Sequence, residues 1–389
     1  MHVTQRRWTA SQGWIPTPPP PDASAADLVF VFGATSLLQQ PGALDPIRAA
    51  FPTAHLLGGS TAGEICGAQV FDDSIVATAV RFAHTRLHGA AVELQTAAQS
   101  FAAGAELARK LPLSLPGPGS DPAFPLAHVL VFSDGTSVNG SDLVRGLIEH
   151  LPVSVPITGG MAGDGSRFAE TYVFWDAAPA RHQIVVLGLY GSRLQIGFSS
   201  VGGWDPFGPD RLVTRASGNV LFELDGRSAL GLYKEYLGDH AKDLPAAGLL
   251  FPLCVRAQVG DPGVVRTILG IDETAQSLTF AGDVPEGSYA RLMKANFDRL
   301  IDGAAAAARR SREAVGGGAP ALALLISCVG RKLLLKQRIE EELEGVREVL
   351  GTATPLAGFY SYGEICPFTP GGRSELHNQT MTITTFAET

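Results

Sequence analysis

Residues Gly58 to Cys66 read GGSTAGEIC, and residues Gly358 to Cys366 read GFYSYGEIC. The same phrase, a glycine followed after five residues by Glu-Ile-Cys, thus returns 300 positions later. A looser copy, GGMAGD, runs from Gly159 to Asp164. An apolar run lies upstream of each: LVFVF from Leu28, HVLVF from His128 and ALALLIS from Ala321. Runs of that length, bounded by glycines and turn residues, are the pattern of buried strands. The chain reads as one unit used repeatedly.

Around the first two copies the order is strand, turn, helix, strand, with helices expected near 41–51 and 143–150, the second capped by Ser141 or Asp142. Alternation of this kind defines a mixed α/β class. At 389 residues, more than one hydrophobic core is expected. The reading is two sheet-containing domains with packed helices, related by duplication: a lead-in at 1–26 with the Pro-rich segment 17–24, a first domain at 27–205, and a second at 206–389. QIVVLGLYG and RLQIGFSSV read as a hairpin turned at Gly191 and Ser192. Residues 219–237 read as helical pieces around Gly226, 291–315 as a long helix, and 332–350 as a helix closed by Gly351.

Composition narrows the function. A formal net charge of -8 with no dense basic run excludes non-specific nucleic-acid binding. No signal-peptide stretch and no run of about 18 uncharged apolar residues is present, so a soluble, cytoplasmic protein without membrane contact is expected. The four cysteines form no CxxC pair. The glycine phrase lacks the Walker pattern, strict GxGxxG, GxSxG and HExxH, so no enzyme signature is complete and catalysis is not expected. Glycines so spaced serve tight turns and close approach to a ligand equally well.

Several stretches together resemble the FIST sensory family, named for F-box and intracellular signal transduction proteins. GGSTAGEI, LVFSDGTSVNG and GGMAGD resemble its amino-terminal half. NVLFELDGRSALGLYKEYLG, DVPEGSYARLM, LLISCVGRK, PLAGFYSYGEICPF and ELHNQTMTITTF resemble its carboxy-terminal half. The resemblance implies a ligand-binding sensor that regulates a separate signalling enzyme, a histidine kinase or a cyclic-di-GMP enzyme; a homodimer is one arrangement open to it.

Two ligand classes follow from the resemblance. One is b-type haem with nitric oxide as the signal, as in the NosP-type haem proteins; the other is a small metabolite such as an amino acid. Haem needs an axial ligand and an apolar wall. His240, in YLGDHAKDLP ahead of GLLFPL, is the histidine best placed for both, with Tyr233, Tyr236 and Arg291 around it and Arg256 as a further cation. Cys254, Met293 and His377 are alternative ligands. For a metabolite, the polar inventory is Tyr360, Tyr362, His377 and Asn378, with Glu64 and Glu364 from the repeated phrase.

Overall fold

The computed structural model describes residues 1–16, 25–117, 123–261, 263–369 and 371–389. The Pro-rich segment 17–24 and part of the loop at 113–125 lie outside them. Three copies of one unit form the core. In each, a buried strand leads through a helix to a second strand parallel to the first. The pairs are Leu28–Gly33 with His55–Ser60, Phe124–Ser133 with Ile157–Met161, and Leu322–Cys328 with Leu356–Ser361. An antiparallel strand flanks the first member of each pair: Ser74–Arg81, Gln183–Tyr190 and Met381–Glu388. Outside it lies a fourth strand: His2–Thr9, which carries Gly13–Ile15 on its outer side, Arg86–Glu93 and Leu194–Val201.

The fifth strand of each sheet comes from another unit. Glu64–Cys66, at the end of the first glycine phrase, pairs with Leu356–Ser361 of the third unit. Gly363–Pro367 of the third pairs with Ile157–Met161 of the second, and Val173–Trp175 of the second pairs with His55–Ser60 of the first. The exchange closes a ring.

Gly58, Gly159 and Gly358 stand opposite Val31, Val131 and Leu325, and a Cβ on any of the three would lie 1.8 Å from that partner's carbonyl oxygen. No side chain is tolerated there. At the following pair the units compensate one another: Phe32 faces Gly59 and Phe132 faces Gly160, whereas Ile326 faces Phe359. The three phenylalanine rings meet where the units converge, with centroids 4.6 to 5.8 Å apart and edge-on or tilted.

The third unit is interrupted. After Leu194–Val201 the chain enters a nine-stranded sheet, with strands from Trp204–Pro206 to Tyr289–Ala295, before returning through helix Phe297–Ala314. Helix Ala229–Leu237 packs on that sheet around Leu221, Leu230, Leu278 and Phe280. Arg331 is fully buried where this inserted sheet joins the core. It donates to Glu342 at 2.8 Å, to Leu300 O at 2.6 Å and to Gly202 O at 3.2 Å.

The mixed α/β class, the sheets with packed helices and the internal repeat are as the sequence implies, although the repeat is threefold. Several elements differ. Gln183–Tyr190 and Leu194–Val201 are not a hairpin, because Gly191 carries the chain from one unit's sheet to the next. Residues 220–224 are a strand rather than helix, turned at Asp225 and Gly226, both with positive φ. Residues 289–295 are likewise a strand, and the helix begins only at Phe297, behind an Asn296 cap. Asn139 caps helix Gly140–His150 in place of Ser141 or Asp142. The 332–350 segment is two helices, Val329–Leu335 and Ile339–Leu350, broken at Lys336, with Gly351 closing the second.

Gly159→Ala and Gly358→Ala should each destabilise the fold by about 3 kcal/mol or more in denaturant titrations, because the added methyl meets main chain. Gly270→Ala, where a Cβ meets nothing within 4 Å, should change stability by less than about 1 kcal/mol. Equal effects at all three positions would contradict the crossing geometry.

Candidate functional site

A cleft of about 880 Å³ separates the inserted sheet from the core. Its size is that of a small-molecule site. Three pieces wall it. Helix Gly140–His150 contributes Ser141, Val144, Arg145 and Ile148, whose spacing puts them on one face. The inserted sheet contributes Val255, Arg256, Val264 and Arg266, with Asp283 and Glu286 from the following loop. The third piece is the loop of the exchanged hairpin, with Phe368, Arg373, Glu375 and Leu376.

Charges of both signs meet here. Arg266, at 6% exposure, donates from Nε to Asp283 O at 3.0 Å and from Nη1 to Leu376 O at 2.8 Å. It therefore ties the inserted sheet to the hairpin. Gly282 lies against the guanidinium, where a Cβ would come within 3.0 Å of Nε. Burial pushes the Arg266 guanidinium down to about 10. Asp283 accepts from Asn139 Nδ2 at 3.2 Å and lies 3.6 Å from Arg145, which also pairs with Asp142. Arg256 lies 3.5 Å from Asp210 and 3.5 Å from the Cys254 sulfur.

Of the residues singled out from the sequence, Arg256 lines this cleft and the others fall elsewhere. His240 is exposed on the 3-10 turn Gly238–Asp243, because Gly238, at φ 55, ends the preceding helix and directs the turn outward. Its ring touches Phe251 at 5.5 Å. Tyr233 is buried with its hydroxyl on Phe251 O at 2.7 Å, and Tyr236 accepts from Arg211. The cavity that these tyrosines share holds about 20 Å³, and His240 does not line it. A porphyrin does not fit there. Arg291 pairs with Asp210 at 3.9 Å, while Cys254 and Met293 pack with Trp204 and Leu300. Among the described residues, no group of three or more His, Cys, Asp and Glu side chains is placed to hold a metal ion.

The metabolite set lies in the core. Tyr360 donates to Glu342 at 2.7 Å, and Tyr362 donates to Asp164. His377 is buried against Cys366 O at 2.9 Å, and burial pushes it down to about 4, so it is neutral. The Asn378 amide is buried with neither atom bonded among the described residues. His377 and Asn378 directly follow Leu376, yet neither lines the cleft.

Glu64 and Glu364 explain the repeated phrase. Glu64 accepts from Thr61 Oγ1 at 2.5 Å and from the amide and hydroxyl of Ser74 at 3.2 and 2.6 Å. Glu364 accepts from Ser361 Oγ at 2.6 Å and from the amide and hydroxyl of Thr380 at 3.2 and 2.9 Å. In both units the carboxyl pins the crossing turn to the start of the antiparallel strand. In the second unit Asp134 does this, accepting from His182 N at 2.7 Å and Thr171 Oγ1 at 2.8 Å.

Residues 27–227 match the FIST N domain and residues 229–367 the FIST C domain. The chain belongs to the FIST family, whose domains imply a sensor of signal transduction. Two uncharacterized proteins of Mycobacterium tuberculosis are each 30% identical to it over 262 residues, covering 62% of this chain and 64% of theirs. An uncharacterized protein of Methanocaldococcus jannaschii is 24% identical over 208 residues, covering 50% of this chain and 39% of its own. The chain thus spans less than two thirds of these relatives. Among solved structures, a cyanuric acid hydrolase from A. caulinodans overlaps 78% of this chain and 99% of its own at 12% identity, with a TM-score of only 0.18. No helix among the described residues is long and apolar enough to cross a membrane.

Burial, outweighing the hydroxyl and amide donors, pushes Glu64 up to about 7 and Glu364 up to about 8 from an ordinary 4.5. The folded chain therefore holds these protons where the unfolded chain has released them. Their stabilisation is complete below about pH 4.5 and is lost as pH rises through 7 and 8, on the order of 3–5 kcal/mol for each carboxyl. Unfolding free energy should fall from pH 5 to pH 9, and Glu64→Gln with Glu364→Gln should flatten that fall. An unchanged slope in the double variant would place the carboxyls' ordinary ionisation in the folded state.

Proposed function

We propose that this chain is a FIST sensor that binds a small polar metabolite carrying both charges, such as an amino acid, in the cleft between inserted sheet and core. The observation that carries this reading is the cleft itself, about 880 Å³ in volume and lined by four arginines and three carboxylates. A zwitterion matches such a wall at both ends. Against the haem reading, with nitric oxide as signal and His240 as axial ligand, stand the exposure of that histidine and the cavity of about 20 Å³ at Tyr233 and Tyr236. The output is a signalling enzyme, a histidine kinase or a cyclic-di-GMP enzyme, whose equilibrium shifts only if it distinguishes the two ligand states.

Ala257 is exposed on the cleft wall, so Ala257→Trp fills the cleft without touching the core. Calorimetry against the proteinogenic amino acids should find at least one that binds the parent chain and binds Ala257→Trp about tenfold more weakly or worse. Equal affinity for both chains would move the ligand out of the cleft. A Soret band that survives desalting after haemin reconstitution would replace the metabolite with haem. Identical kinase autophosphorylation in the two ligand states would remove the regulatory half.

A further inference from the structure

We infer that Arg266 is the anchor for a carboxylate of the cleft's ligand; this rests on the reading of the cleft as a metabolite site. An arginine this deeply buried ordinarily has an acidic partner, because taking its charge out of water is costly. The same chain shows that arrangement at Arg331, with Glu342 at 2.8 Å. Arg266 differs. Its partners are two backbone carbonyls, no carboxylate lies within ion-pair distance among the described residues, and its Nη2 has no hydrogen-bond partner there.

The neighbouring acids are engaged elsewhere or exposed to solvent. Asp283 serves Asn139 and Arg145, Glu286 accepts from the Ala216 amide at 3.2 Å, and Glu375 is exposed. Asp283 and Glu375 favour the charged guanidinium only through space. The guanidinium is also fixed before any ligand arrives, by its two carbonyl bonds and by Gly282 against its Nε and Cζ. A donor nitrogen held rigidly on a largely buried side chain and open to a cleft of about 880 Å³ is a preorganised site for an oxyanion. A planar carboxylate reaching Nη2 neutralises the buried cation, and Arg256 lines the same cleft as a second donor.

Thermal shift and calorimetry on the full chain, with each proteinogenic amino acid, its α-carboxamide and inorganic phosphate as probes, test this. At least one amino acid should stabilise the chain, and its carboxamide should bind at least about thirtyfold more weakly. Arg266→Lys, which keeps the charge but not the fork, should weaken that acid about tenfold or more while leaving its carboxamide unaffected. If Arg266→Lys does not fold, the acid and amide comparison on the parent chain decides. Equal binding of acid and amide, or stabilisation by phosphate with none by any carboxylate, would overturn the anchor and leave the cleft as a binding site. If no probe shifts the chain, the metabolite reading itself fails and the anchor with it.

Discussion

Three carbonyl oxygens, on Val31, Val131 and Leu325, lie so close to the neighbouring strand that only glycine can face them. Each second strand stays with its own sheet for two or three residues past this contact and then leaves it. The residues just beyond it cross to another unit and bond there: Tyr360 N to Gly63 O at 2.8 Å, Gly163 N to Ser60 O at 3.0 Å, and Tyr362 N to Met161 O at 3.1 Å. Each sheet then lacks a strand unless another unit supplies it. An unpaired buried strand edge is costly, so the three units stabilise one another. The buried acids Glu64, Asp134 and Glu364 fix the crossing turns, and the phenylalanine cluster fills the space that the glycines leave open.

That interlocking also places the cleft. Gly363–Pro367 and Ser374–His377 belong by chain to the third unit and by hydrogen bonding to the second, so their connecting loop stands beside helix Gly140–His150. The inserted sheet leaves and rejoins the third unit at points held by Arg331, through Gly202 O and Leu300 O. A ligand in the cleft touches the inserted sheet, the exchanged hairpin and the second unit's helix together. Arg266 already links the first two. Under the proposed reading, one ligand would contact the inserted sheet and the core at once, so its affinity would depend on how the two are placed.

Much of this was legible in the sequence, and the physics explains which part. The repeated Gly-Glu-Ile-Cys phrase exposed the repeat, because the crossing geometry admits so few residues. The exchange was hidden: Glu64–Cys66 is a strand of three residues, and nothing in it encodes its partner strand at Leu356–Ser361. Gln183–Tyr190 and Leu194–Val201 look like a hairpin because adjacent β-rich runs usually pair, whereas here the turn between them joins two units. His240 was favoured by its place between a helix end and an apolar stretch, but a glycine with positive φ turned it to solvent. Arg266, in VVRTILG, reads as an edge-strand charge. Its one signal is that it falls between apolar residues on a strand whose alternation would bury it.

Through their exchanged strands the three units form one cooperative body. Native-state hydrogen exchange under increasing denaturant tests it most directly, read at the amides of Leu28–Gly33, Phe124–Ser133 and Leu322–Cys328. All three strands should exchange only through global unfolding, with one shared opening free energy and one shared denaturant slope, while amides of the inserted sheet open at lower free energy. A strand of any one unit that opens separately from the other two, at its own lower free energy, would contradict it.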